Sequence, residues 1–181
     1  MNWISKSVVF LLASILIPCR IAVAQIDPIE RMPQELQDSL RGCEEFTLLS
    51  LEPSMLPDLM EVLGIRTNSP PGTNNSPITE QFQGYRILGK ARITAGDERA
   101  KLVAALAEGI EKGSALKNCF NPRHGIKATQ GTNTIELLIC FECGGVVVFR
   151  SGAPKKTFLT ASQPKETYNN ILLRKGVPVA E

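Results

Sequence analysis

The chain has 181 residues, enough for one domain with a core of its own. Charged residues make up 21% and hydrophobic residues 43%, an ordinary globular balance. Twenty Lys and Arg against 18 Asp and Glu leave a formal charge of +2, too weak a field to draw the chain to nucleic acid or to an anionic membrane.

Residues 1–25, "MNWISKSVVFLLASILIPCRIAVAQ", read as a secretory signal peptide. Lys6 precedes an apolar run from Val8 to Ile17, Pro18 breaks it, and the small Ala22 and Ala24 place cleavage after Ala24. The run is ten residues long, too short to cross a bilayer as a stable helix, so the expected mature chain (25–181) carries no transmembrane segment. A lipid anchor at Cys19 is the weaker reading, because Pro18 stands where a lipobox has a small residue. Cleavage removes two of the basic residues and no acid, which makes the mature chain neutral. It also leaves Cys43, Cys119, Cys140 and Cys143. An even number of cysteines in an exported chain suggests disulfides, whose pairing the sequence leaves open.

In chain order, Pro33 and Gly42 bracket a short helix over about 33–41, with Leu36 and Leu40 on one face. "EEFTLLSLEP" predicts a strand over 45–51, stopped by Pro53. A short helix is expected within 54–63 after Pro57. Beyond it, the Pro, Gly, Asn and Ser content of 64–78 predicts an exposed mobile loop. Asn74-Asn75-Ser76 fits a glycosylation sequon, usable only on a eukaryotic secretory route. Residues 81–93 are a strand region in which Gly84 and Gly89 suggest bulges or close backbone approach. Phe82 and Tyr85 there are expected in the core. A helix follows, opened by a capping-box-like Thr94 and Asp97, faced by Leu102, Leu106 and Ile110, and ended by Gly113. Residues 125–130, 134–142 and 146–150 read as an antiparallel meander turning first at Gly131 to Asn133, with an edge strand at 157–161. The last helix is capped by Ser162, has Pro164 in its first turn and ends at Gly176. The order predicts a single α+β domain, an antiparallel β-meander with helices on one face.

Two stretches carry the chemistry: "CFNPRHG" (119–125) and "LLICFECGG" (137–145). In a continuous strand Ile135, Leu137, Ile139 and Phe141 share the core face, while Cys140 points the other way. Cys140 and Cys143 therefore meet only if the chain turns between them, and Gly144-Gly145 favours that. A three-residue hairpin loop sets His124, the only histidine, opposite Cys140. A four-residue loop sets it opposite Phe141 and puts Ile126 and Ala128 on the apolar face, which is preferred. Cys119, across Pro122, can fold back to the same place. The set C-x4-H-x15-C-x2-C has the ligand types and spacing of a Cys3His zinc site made of Cys119, His124, Cys140 and Cys143, with Cys43 a free buried thiol. Export argues instead for disulfides, with His124 a hydrogen-bonded turn residue. A redox-active CxxC is a third reading, weakened because such pairs usually open a helix and this one follows a strand.

"CFNPRHGIKAT" and "ELLICFECGGVVVF" together resemble a bacterial exported or lipoprotein-like family carrying C-F-x-P-R-H and I-C-F-E-C, with "LLSLEP" and "GYRILGKA" similar to its upstream segments. The resemblance implies no activity. It implies that Cys119, Pro122, Arg123, His124, Cys140, Glu142 and Cys143 belong to one signature.

Phosphate-binding loops, nucleophile elbows and H-E-x-x-H motifs do not occur in the sequence. A Cys–His nucleophile drawn from His124 and a nearby cysteine has no oxyanion-hole motif beside it. Arg123 and Glu142 could form an ion pair beside the cluster, although solvated charges are the commoner outcome. The expectation carried forward is an exported structural or binding protein whose cluster holds a metal, zinc first, because only a metal explains why the single histidine lies beside three cysteines. Its alternatives are a disulfide-stabilised interaction module without metal and a thiol–disulfide oxidoreductase. Substrate and partner are not legible.

Overall fold

The structure, a computed structural model, describes residues 31–53, 80–115, 117 and 119–180. The signal peptide, the helix expected at 54–63 and the loop at 64–78 lie outside the described residues.

Among the described residues three helices and seven strands alternate unevenly. Helix α1 (Gln34–Gly42) precedes β1 (Glu45–Leu51), β2 (Gln81–Phe82) and β3 (Tyr85–Arg92). Helix α2 (Gly96–Glu111) leads to β4 (His124–Gln130), β5 (Asn133–Cys140), β6 (Gly145–Arg150) and β7 (Lys156–Leu159), and α3 (Pro164–Arg174) closes the order. The strands form one antiparallel sheet in the order β2-β3-β1-β4-β5-β6-β7. This is the expected α+β domain.

Local chemistry accounts for most boundaries. Leu36 and Leu40, four apart, are the buried face of α1. Leu102, Leu106 and Ile110 do the same for α2. Two expected caps are absent: Ala95 stands at the α2 N-cap and Gln163 at that of α3, neither with a side-chain cap bond. Pro164 sits in the first turn of α3, where its missing N–H leaves no donor unpaired. The 81–93 region is a hairpin and not one strand. Gln83 (φ 51°) and Gly84 (φ 84°) make its two-residue turn, so Gly84 is a turn residue and not a bulge. The bulge lies by Gly89, where the pairing steps from Ser50↔Gly89 to Leu51↔Ile87.

Burial divides between the two sheet faces. The larger core holds Leu36, Leu40, Phe46, Leu106, Ile126, Leu137, Tyr168 and Ile171, so all three helices contribute to it. The smaller one gathers Leu49, Leu51, Phe82, Tyr85 and Leu138 on the opposite face, and no helical residue joins it. One row on the helix-covered face runs Gly89, Ser50, His124, Ile139, Val146 and Phe158 from strand to strand. Gly89 has to be small there: a Cβ would come within 2.7 Å of Val177 Cγ1, just past α3.

Candidate functional site

Strand β5 ends at Cys140, residues 141–144 turn, and Gly145 pairs back with Cys140 to start β6. Cys140 and Cys143, with Cα atoms 5.2 Å apart, are joined by a disulfide across this turn. Gly144 makes the turn with φ 71°, and a side chain there would also run into the carbonyl of Ala115. Each sulfur accepts a backbone N–H. Cys143 donates to Cys140 Sγ at 3.1 Å and Asn121 donates to Cys143 Sγ at 3.3 Å. Both cysteines are buried, at 0% and 2% exposure.

The turn is also a point of attachment. The Lys117 N–H donates to the Cys143 carbonyl at 2.9 Å and the Thr160 N–H donates to that of Gly144 at 3.0 Å. Glu142 bonds Lys165 of α3 and pairs with Arg123 at 3.3 Å, so the Arg123–Glu142 ion pair is present. Burial opposes ionisation of Glu142. The Lys165 hydrogen bond, its own backbone N–H and the Arg123 charge outweigh burial and hold the carboxyl below its ordinary range. Phe141 meets the edge of Tyr168 in α3 with centroids 5.2 Å apart, and the Tyr168 hydroxyl donates to the Leu102 carbonyl in α2 at 3.1 Å. Loop, sheet and two helices therefore converge on residues 141–144.

His124 lies under the same helix. The β4–β5 turn has only two residues, Gly131 and Thr132, so Gln130 pairs with Asn133 and His124 with Ile139. Both registers expected from the sequence are corrected by this shorter turn. The apolar face expected for Ile126 and Ala128 is kept, because the preferred register differs by two residues and side chains repeat every two. The imidazole is 1% exposed. Its Nε2–H donates to Asn169 Oδ1 of α3 at 2.8 Å, which leaves Nδ1 as the bare nitrogen, buried without a hydrogen bond. Burial lowers its pKa to about 4, against the opposing pull of Asn169 and of the Glu142 charge, so the ring is neutral at neutral pH. The rings of Phe141 and Tyr168 enclose it at 5.3 and 5.7 Å. Directly opposite His124 on β1, Ser50 is fully buried, and its hydroxyl also has no partner.

Of the four residues expected to cluster, two are bonded to each other and the others stand apart in role. Cys119 is an exposed free thiol, although the segment carrying it is folded onto Cys143 by Lys117 and Asn121. Cys43 is a buried free thiol donating to the Leu40 carbonyl at 3.3 Å. Burial raises its pKa against the Arg99 charge. Among the described residues no three His, Cys, Asp or Glu side chains converge as a metal would require. The sequence reading missed Asn169, Lys165 and Ser50. The spacing of Tyr168, Ile171 and Leu172 marks the buried face of α3, but no pattern says which polar neighbour on it meets the histidine.

At the other end of β4 and β5 an open cleft of about 330 Å³ lies between α1 and the two hairpin turns, lined among others by Glu35, Cys43, Ile135 and Arg150. Arg150 and Glu35 pair across it at 3.3 Å. No helix among the described residues is long and apolar enough to cross a membrane. No protein-family model, curated protein or solved structure matches the chain.

Proposed function

We propose that this chain is an exported, disulfide-stabilised interaction module, in which Cys140–Cys143 fixes the turn on which α3, Lys117 and Asn121 dock. The observation that carries the reading is the burial of a bonded CxxC pair at a place where sheet, loop and helix meet. A disulfide persists in oxidising compartments, which agrees with the signal-like first 24 residues. The polar groups near it are spent on packing: His124 is buried, neutral and bonded to Asn169, and Glu142 is bonded to Lys165 and Arg123. Contacts with other molecules then fall to the surface, where the cleft beside α1 has the size of a small-ligand site.

A second reading retains the metal. Reduced Cys140 and Cys143 are two thiolates, and His124 Nδ1 is a buried nitrogen without a partner. Cys119 completes a Cys3His set of the kind zinc takes, if the 117–121 segment closes on it. Against this, strand alternation points Cys140 away from the face that carries His124. A native mass spectrum of protein purified without chelator or reductant tests both. A metal-free mass with Cys140 and Cys143 oxidised is the expected result. A zinc adduct with all thiols reduced would replace the first reading with the second.

A further inference from the structure

The exposed thiol and the buried disulfide belong to one piece of structure. Cys119 is two residues from Lys117 and two from Asn121, and both of those bond Cys143: the Lys117 N–H to its carbonyl at 2.9 Å, the Asn121 N–H to its sulfur at 3.3 Å. Two residues of chain reach at most roughly 7 Å, so the Cys119 Cα lies within roughly 10 Å of Cys143 Sγ. A disulfide asks for Cα atoms about 4.4–6.8 Å apart, so Cys119 has to move inward to bond Cys143. A thiolate attacks a disulfide along the S–S axis, and an external one has no such approach to sulfurs at 0% and 2% exposure. Cys119 stands in solvent.

We propose that Cys119 is the entry thiol of a thiol–disulfide relay, through which small thiols and disulfides in solution exchange with the buried Cys140–Cys143 pair. The Cys119 thiolate attacks Cys143 Sγ. The Cys119–Cys143 bond forms, the Cys140–Cys143 bond breaks, and Cys140 leaves as a thiolate that already accepts the Cys143 N–H at 3.1 Å. The new disulfide has its Cys119 sulfur at the surface. An external thiolate attacks there, forms a mixed disulfide on Cys119 and releases Cys143. A second external thiol resolves it, so two thiols are oxidised to their disulfide as the protein pair is reduced. Run backwards, an external disulfide captured at Cys119 re-forms the pair.

The relay goes beyond the interaction-module reading and fails separately from it, since that reading rests on what the bond holds and the relay on how it opens. The test is the rate at which glutathione opens Cys140–Cys143 in the folded full chain, followed by thiol trapping and peptide mass mapping. Cys119→Ser should slow opening by about tenfold or more. The wild type should carry glutathione on Cys119, and Cys140→Ser treated with glutathione disulfide should accumulate the Cys119–Cys143 bond as that disulfide is reduced to two glutathione thiols. Cys119 is exposed and free, so its loss does not disturb the fold. An unchanged rate in Cys119→Ser, or glutathione mapped first to Cys140 or Cys143, overturns the relay and leaves the disulfide a closed staple.

Discussion

Lowering the pH from about 7 to about 4.5 protonates the histidine of the unfolded chain while the folded chain keeps His124 neutral, so this one buried group dominates the change in stability. The imidazole has an ordinary pKa of 6.5 and is held at about 4 in the folded chain, chiefly by burial, with Lys165 and Arg123 adding to the shift and Asn169 and Glu142 opposing it. The unfolded chain therefore takes up the proton first. The corresponding stability is present above pH 6.5 and is lost as the pH falls toward 4. A shift of that size amounts to about 3 kcal/mol, of which about 2 kcal/mol disappears between pH 7 and 4.5. Glu98 and Glu142, and the exposed Glu52 and Glu108, are also lowered and add losses of the same sign that begin as the pH nears the ordinary carboxylate value of 4.5. The assay is urea unfolding followed by far-UV circular dichroism across this range, in the wild type and in His124→Gln, whose amide does not titrate. The wild-type curve should fall toward acid by about 2 kcal/mol more than that of the variant, which keeps only the smaller carboxylate losses. Parallel curves would refute a buried neutral imidazole at this position.

The Cys140–Cys143 bond closes a loop of only four residues in the unfolded chain, so Cys140→Ala/Cys143→Ala should lose about 2 kcal/mol, read as a fall in melting temperature of roughly 4–8 °C. A far larger loss would mean that turn packing, and not chain entropy, is what the bond secures. Gly144→Ala meets both a positive φ and the Ala115 carbonyl and should lose at least about 2 kcal/mol in urea, whereas Gly152→Ala, at φ 73° in open space, should lose about 1 kcal/mol. Equal losses would show that strain at residue 144 is only conformational. Ser50→Ala removes a buried hydroxyl without a partner and should change stability by less than about 1 kcal/mol. A loss above about 2 kcal/mol would mean that the hydroxyl is hydrogen-bonded.

Periodicity made most elements legible. The four-residue spacing of Leu36 and Leu40, and of Leu102, Leu106 and Ile110, fixed two helices to within two residues, and alternation across 125–150 fixed the meander. The caps were not legible, because Thr94 and Ser162 are of the right type but Ala95 and Gln163 take the N-cap positions, without a side-chain cap bond. Nor was the place of β1, since its pairing with β3 on one edge and β4 on the other is a long-range choice among similar apolar strands. At the site, Gly144 pointed correctly to a turn between the cysteines. The partner of His124 was out of reach, because one residue in the hairpin loop moves every cross-strand neighbour, and Asn169 comes from a helix that no short-range rule docks.

The central position of β1 also sets the order in which the sheet can form. Leu48 takes Ala91 as one neighbour and Ile126 as the other, so both edges of β1 wait for residues far along the chain. A polypeptide that emerges N-terminus first carries "EFTLLSL" unpaired until β3 appears, and with its other edge bare until β4 does. Closing such loops before any contact stabilises them is slow, and a bare strand edge is a template for aggregation. Of the described strands, β1 is therefore the one a chaperone must guard longest, and the N-terminal half of the sheet is completed only after its C-terminal neighbour β4 has arrived.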